Sequence, residues 1–466
     1  MKLLSYKIGI AMLLTAMAMG TGCSRYLDRP PQGQILEEEA LKDEDGLKRV
    51  VNGAYITLGS ETFYGGRAVI LSELLSDELN GTLLTEDFGE IYGRRTSIFG
   101  AYKNDFYTNG YKVIANINRV LQNIDLAGAS RDQLEGEAKF IRALVHFELV
   151  RLFAQPYGFT PDNSHPGIPI RLESTVSIAN RATVQEVYNQ IITDLTDAAA
   201  KLPADRVSTA SSNAANALLA KVYFQMNNTE AAYTAANQVL SGSDKPYQFV
   251  TADSAFTTRF SQGKNEETIL EISTQQNNPQ GSVGNGLRDN FRSDTRRPVL
   301  FFSNAVYNRV ANPGDKRAAF LSNTLQAGIN VLVKYNADVF VLPVLHVTEI
   351  KLIRAEAGAA QGGAALATAI DDINDILERA YGNTSRNLPP NAAAADVIRV
   401  AREQRAIELV GEGNRTHEIK RIGAQSGQNI DDRGARWNCP GFVLQFPQGE
   451  MASNIDFERN PEGGCN

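Results

Sequence analysis

RDQLEGEAKFIRALVHFELVRLFAQPYG, residues 131–158, decides the class of fold. Leu134, Ala138, Ile141, Val145, Leu149 and Leu152 recur every three or four residues, the spacing that lines one face of an α-helix. The run predicts a helix from Arg131 to Ala154. It stops at Gln155-Pro156-Tyr157-Gly158, because proline and glycine break helices. His146 sits within that helix, where a packed structural histidine is expected rather than a ligand.

Moving towards the C-terminus, Gly167-Ile168-Pro169-Ile170 reads as an extended crossing segment. Thr183-Val184-Gln185-Glu186 is a capping-box pattern and predicts a helix from Thr183 to Leu202, halted at Pro203. Ser212 to Gln225 and Thr229 to Leu240 form an alanine-rich helix pair, joined at Asn227-Asn228 and closed by Gly242. Paired helices with small contact residues resemble tetratricopeptide units, although no clean period of about 34 residues can be laid over them. Helical periodicity then lapses into Gly, Asn, Gln, Ser and Arg, with a short strand expected at Thr268 to Ser273. Long loops of this kind often carry function. Helices resume at Pro343 to Gln361, Ala364 to Ala380 and Ala394 to Val410.

Towards the N-terminus, helical periodicity covers Glu37 to Leu58, preceded by SRYLDRPPQGQ at 24–34, which suits an extended tether. Lys2 and Lys7 form a positive stretch before the apolar run Ile8 to Met19, which is shorter than the roughly 20 residues that span a bilayer. A signal peptide is expected. Gly20-Thr21-Gly22-Cys23 looks like a lipobox, with Gly20 departing from the usual apolar residue; an ordinary leader with a nearby cysteine is the plainer reading. Acylation of Cys23 with several chains would anchor stably where one chain would not. The chain thus divides into a leader at 1–22, a tether at 23–36, a helical region at 37–242, a loop-rich insert at 243–342, a second helical region at 343–425 and an irregular segment at 426–466. Of three cysteines, Cys439 and Cys465 remain. An even remainder in an exported chain is compatible with one disulfide, and two incidental thiols are the alternative.

The formal net charge of −7 argues against nucleic acid, whose binders carry a basic face. There is no H-E-x-x-H, G-x-S-x-G or P-loop, and the four histidines, at 146, 165, 346 and 417, are scattered. No catalytic set, metal or cofactor is expected, although a glycosidase carboxylate pair is defined in space rather than in sequence. In the group Arg405, Glu408, Glu412 and Arg415, a spacing of four puts Glu408 and Glu412 on one helical face with Arg405 three before Glu408, and the group reads as an ion-pair network tying the helix end to its neighbours ahead of a site. Asp43-Glu44-Asp45 and Asp371-Asp372 read as solvated faces or caps, since neither fits a calcium loop.

Binding a sugar or peptide calls for flat aromatic faces beside hydrogen-bonding groups. With one tryptophan, Trp437, against 16 tyrosines and 20 phenylalanines, such platforms must be Tyr or Phe. The densest mixture is Phe88 to Tyr111. Tyr92, Arg94, Tyr102 and Asn104 are its ligand candidates, Arg95 and Phe99 lie among them, and Phe106, Tyr107 and Tyr111 read as core anchors. A second candidate is Asn285 to Arg297, with Phe291, Arg292 and Arg296; arginine there suits acidic sugars or peptide carboxylates.

Several of these segments together resemble the SusD/RagB family, surface lipoproteins of Bacteroidetes that capture nutrients. Cys23 with Tyr26-Leu27-Asp28 looks like its mature start, and Phe106-Tyr107 to Tyr111 with Ile114-Ala115-Asn116 like its first long helix. Glu137-Ala138-Lys139-Phe140-Ile141-Arg142-Ala143, then Leu149 to Phe153 and Gly167-Ile168-Pro169, resembles its most recognisable stretch. Glu349 to Ala357 and the series Gln404-Arg405, Glu408-Leu409, Glu412-Gly413, Arg415 and Arg421 follow in order. Gln404 replaces the usual Glu, and Phe446-Pro447-Gln448 keeps only part of a Pro-Ile-Pro. The resemblance implies a mostly α fold: a tetratricopeptide-like helical-hairpin scaffold carrying a loop-rich irregular half. It implies a lipid-anchored outer-membrane protein facing the cell exterior. Such a protein captures oligosaccharides or peptides for a SusC-like TonB-dependent transporter, over which it sits like a lid. The resemblance also points to the loops around Phe88–Tyr111 as the ligand surface. A structural lid with little ligand affinity is the alternative, and a surface glycoside hydrolase a remote one.

Overall fold

The computed structural model describes residues 41–465 except 176–177, 243–244, 257–258, 261–265, 273–284 and 339–340. Cys23 and the tether lie outside the described residues, as does the front of the helix expected from Glu37. The fold is mostly α. Helix α1, Glu44–Gly59, is capped by Asp43, whose carboxylate accepts from the Gly46 amide at 2.8 Å; the acidic triplet is therefore a cap. Helices α2, Arg67–Leu75, and α3, Glu86–Tyr92, lead into the long helices α4, Ala101–Gln122, and α5, Arg131–Phe153. Helix α6, Val184–Lys201, opens on a full capping box between Thr183 and Glu186. The pair α7, Ser212–Gln225, and α8, Thr229–Leu240, follows as the alanine pattern anticipates, with Asn228 accepting from the Ala231 amide at the turn.

These helices pack in sequence order, α4 on α5, α5 on α6, α6 on α7 and α7 on α8. The row then continues across the insert. Helix α11, Val347–Gln361, packs directly on α8, and α12, Gly363–Tyr381, and α13, Ala394–Glu408, both pack on α11. The two helical regions are one stack. Its main core runs from Leu47 to Phe457, and a second core of Leu352, Ile373, Ile376 and Val397 fills the space between α11, α12 and α13.

One expected helix start shifts. Leu342–His346 is a strand, antiparallel to Thr268–Ile272, with Thr268 opposite His346 and Ile272 opposite Leu342. Helix α11 begins only at Val347, where the His346 ring accepts from the Glu349 amide. Apolar Leu342, Val344 and Leu345 suit either periodicity over so short a run, and the pairing strand decides. Between these strands come α9, Asn285–Phe291, and α10, Asn304–Val310, and a two-residue hairpin pairing Leu321 with Leu332 and Ser322 with Val331. Helix α14, Arg415–Ser426, and the short α15, Gln448–Ser453, close the chain.

The interior is heavily charged. Glu408 receives Arg379 at 3.0 Å, Arg259 at 3.2 Å and Arg317 at 3.4 Å. Glu412 receives Lys334 at 2.7 Å and His346 at 3.3 Å. Arg405 pairs with Glu349 at 3.0 Å and Glu418 at 3.3 Å, and Arg415 with Asp77 at 2.6 Å. The Glu408 group is thus a buried network binding the end of α13 to the insert and to α12. Asp372 belongs to the same pattern, which corrects its reading as a solvated or capping residue: Lys351 at 2.6 Å and Arg354 at 2.7 Å hold it in the interior. His146 is a packed core residue whose pKa burial pushes down to about 3, with Arg142 adding to the shift.

Candidate functional site

The segment from α3 to the start of α4 turns most of its aromatic and polar side chains inward. Gly100, at φ +98°, lets the chain double back so that Asp87 accepts from the Tyr102 amide at 3.0 Å and caps α4. Tyr92 lies between Arg433, whose guanidinium is 3.9 Å from its ring centroid, and Gly81. A Cβ added at Gly81 would fall 1.9 Å from the Tyr92 ring, so only glycine admits that approach. Tyr102 is half-buried, edge-on to Phe88 at 4.8 Å and under Arg67 at 4.8 Å; burial pushes its hydroxyl pKa above the ordinary tyrosine value. Asn104 accepts from Lys103 at 2.7 Å and donates to the Ile98 carbonyl at 3.4 Å. Phe106 and Tyr107 are core residues, and Tyr111 donates to the Pro169 carbonyl at 2.7 Å.

Arg94 is a correction. It is 2% exposed, donates to the Leu75 carbonyl at 2.8 Å, and clasps Asp431 with two bonds of 2.9 and 2.7 Å. Phe442 covers its guanidinium at 4.1 Å. The C-terminal segment folds over it, so Arg94 is buried and holds the loop rather than facing solvent. Phe291 is corrected likewise: it is fully buried between Phe302 at 6.1 Å and Tyr335 at 5.7 Å. Arg292 pairs with Asp294 at 2.8 Å and with Asp338, and exposed Arg296 with Asp289 at 3.0 Å. Leu79–Asn80 links the first segment to the insert just beyond the second. The Tyr92 hydroxyl reaches the Leu79 carbonyl at 3.5 Å, and the Asn80 amide donates to the Phe301 carbonyl at 2.9 Å.

What faces solvent is the loop between α3 and α4. Arg95, Thr96, Ser97, Ile98 and Phe99 form one wall of a cleft of about 470 Å³. Its other wall is the chain's tail, with Arg459, Glu462, Gly463 and Gly464, and Gln445 between them. Phe99 is 62% exposed, a flat aromatic face beside charged groups. Two ties hold the walls together. The Gln445 amide donates to the Thr96 hydroxyl at 3.1 Å, and Gln445 exchanges hydrogen bonds with Asn460 at 2.9 and 3.0 Å. Behind them Cys439 and Cys465 form a disulfide, with Cα atoms 5.2 Å apart. Gly441 packs so tightly beneath that an added Cβ would come 2.2 Å from the Arg94 carbonyl oxygen.

Arg95 and Phe99 belong to the segment that sequence reading marked. Arg459, Glu462 and Gln445 were missed, and the signal for them was the cysteine pair, which would bring residues just before Cys465 back to the region of Cys439. A second cleft, about 490 Å³, lies between α13 and α14 over Ile398, Ala406, Leu409 and Ile422. It has no aromatic lining, and its arginines 309, 399, 402, 405 and 415 are all in ion pairs. The Arg95–Phe99 cleft is the better candidate for a ligand site. Among the described residues, no helix is long and apolar enough to cross a membrane.

Comparison with known proteins agrees with this architecture. Residues 26–224 match a SusD-like family described as "Starch-binding associating with outer membrane", and residues 340–456 match the SusD family. SusD-like protein P2 of Formosa agariphila is 28% identical over 250 residues, 51% of this chain and 46% of that protein. SusD-like protein P25 of the same organism is 25% identical over 242 residues, 47% and 44% of the two chains. The chain therefore spans about half the length of the curated relatives it matches. A solved SusD superfamily protein from Bacteroides thetaiotaomicron superposes with a TM-score of 0.79 at 21% identity, over 90% of this chain and 100% of its own. A laminarin-binding SusD-like protein superposes with a TM-score of 0.70 at 19% identity, over 90% and 99%. Two family matches flank the loop-rich insert, on a helical stack that the insert leaves unbroken, and on that ground the chain belongs to the SusD family.

Proposed function

We propose that this protein captures oligosaccharides in the Arg95–Phe99 cleft and delivers them to a SusC-like TonB-dependent transporter in the outer membrane. In this reading acylated Cys23 anchors it there, facing the cell exterior, and it carries out no chemistry on its ligand. The observation that carries the reading is Phe99, a large aromatic left 62% exposed at the mouth of a cleft with polar walls. Leaving a phenylalanine in water forgoes about 1.5–3 kcal/mol of burial. A sugar ring, apolar on one face and hydroxylated at its edge, recovers that area while its hydroxyls meet the polar walls. The family description as starch-binding and the laminarin-binding relative support a glycan ahead of a peptide. The short apolar run before Cys23 supports the anchor.

The test is a glycan and peptide array probed with the full mature chain, followed by calorimetry on the best ligand. Phe99→Ala should weaken affinity about tenfold or more, on the scale of one lost stacking contact, with an unchanged melting temperature. An array on which only peptides bind, or glycan affinity indifferent to Phe99→Ala, would overturn the reading.

A further inference from the structure

We infer that the ligand of this cleft is an acidic glycan, one carrying a carboxylate or sulfate group on the ring that stacks on Phe99. This rests on the reading of the cleft as the glycan site and adds the charge that the site selects. The chain as a whole is acidic, with a formal charge of −7, yet the charged residues lining the cleft are two arginines, Arg95 and Arg459, against one carboxylate, Glu462. Their commitments differ from those of the arginines nearby. Arg94 is spent on Asp431, Arg433 on the Ser76 and Tyr92 carbonyls, and Arg181 on the Pro166 and Gly167 carbonyls. Arg95 is exposed, and among the described residues its guanidinium makes no hydrogen bond or ion pair.

Arg459 has a partner, Glu462 at 3.4 Å, three residues along the tail, with side chains 46% and 80% exposed. A pair so exposed contributes little, so Arg459 can exchange Glu462 for a ligand anion at small cost. The stem of Arg95 lies along Gly464, where an added Cβ would be 3.5 Å from Arg95 Cγ. The tail thus lies along the stem and the Nε edge of the side chain, where an added Cβ at Gly464 would be 3.8 Å from Nε, and among the described residues the guanidinium has no polar partner. On the same rim the Gly463 and Gly464 amides make no hydrogen bond among the described residues. A guanidinium fork and free amides are donors only. They match the acceptor-only oxygens of a carboxylate or sulfate, which arginine binds in bidentate fashion. Neutral sugar hydroxyls need acceptors as well, and here Glu462 is the cleft's one carboxylate.

The experiment titrates the full mature protein, by calorimetry at low and high salt, with a neutral β-glucan oligosaccharide, a uronate oligosaccharide and a sulfated oligosaccharide of similar length. Wild type, Arg95→Gln, Arg459→Gln and Phe99→Ala are compared. The uronate or the sulfated oligomer should bind about tenfold or more tighter than the neutral one, on the scale of one charge-assisted hydrogen bond. That preference should shrink with salt, and Arg95→Gln should cost the acidic oligomer far more than the neutral one. Which acidic oligomer wins tells carboxylate from sulfate. If the neutral oligomer binds as tightly as both acidic ones, or if Arg95→Gln and Arg459→Gln leave the preference intact, the charge inference falls. Loss of all binding in Phe99→Ala would then keep the glycan site itself standing. If no oligosaccharide binds, both fall.

Discussion

Arg94 and Arg95 are chain neighbours with opposite surroundings, and backbone geometry explains the difference. Arg94 sits at φ +54°, a left-handed turn that swings its side chain under the C-terminal segment while Arg95 stays outside. Removing a buried partner leaves its mate uncompensated. Arg94→Ala should therefore lower stability by about 3–5 kcal/mol, read as the urea unfolding free energy. Arg95→Ala should stay within about 0.5 kcal/mol of wild type, as surface substitutions usually do. A cost for Arg94→Ala no larger than that for Arg95→Ala would refute this account of the loop. Residue chemistry alone could not separate the two. Both arginines fit a polar ligand loop, no helical or strand period runs through residues 93–100 to assign a face, and the deciding partner, Asp431, is 337 positions away. Phe291 escaped for a related reason: Phe302 and Tyr335, which bury it, come from later turns of an insert without periodicity.

Elements with strong local signals were legible from sequence. The capping box at Thr183 and the alanine-rich pair at 212–240 appear as their patterns indicate, because each is fixed by contacts within a few residues. The strand at Leu342–His346 was not, since its partner strand lies on the far side of the insert. The tail after Pro447 is held by connections of that non-local kind. Its one regular element among the described residues is the six-residue helix Gln448–Ser453, with no buried residue; beyond it the tail is tied down by Phe457 in the core, by Asn460 with Gln445, and at its end by the disulfide. Opening a loop of that size costs about 3.5 kcal/mol on the chain-entropy model. The wall formed by residues 459–464 depends on it. The double variant Cys439→Ser, Cys465→Ser should melt lower and bind its glycan more weakly, mostly through faster dissociation. A variant that melts lower but binds with unchanged affinity would show that the tail wall takes no part in the site.

At the scale of the whole molecule, the helical stack and the insert share one apolar core and are joined as well by buried charge, and that charge makes stability a function of pH. Burial by itself raises a carboxyl pKa. At Glu408 the guanidinia of Arg379, Arg317 and Arg259 overcome burial and hold the group at about 2, below its ordinary 4.5. At Glu412, Lys334, His346 and Arg259 overcome burial in the same way and hold the carboxyl far below its ordinary value. Glu418, again against burial, is held at about 2 by Arg421, Arg405 and Arg402. Each folded value lies under the unfolded one, so the stabilisation is complete above the unfolded carboxylate range and is lost as pH falls through the folded values. Glu73 and Glu78 run the other way, raised by burial, and at Glu73 also by the charge of Glu78. They soften the acid limb without reversing it, since the lowered groups form the larger network. Buried His146, held at about 3 against an ordinary 6.5, adds a loss that starts earlier, so the melting temperature should begin to fall below about pH 6.5 and drop more steeply from about pH 5 towards about pH 2. Glu408→Gln separates this from general acid unfolding. It should destabilise the protein at neutral pH by about 3–5 kcal/mol, because three buried arginines lose their shared anion, and should leave a visibly shallower acid limb. Parallel acid limbs for wild type and Glu408→Gln would mean that the pH dependence arises elsewhere, and that the joint between insert and stack is held by its apolar contacts.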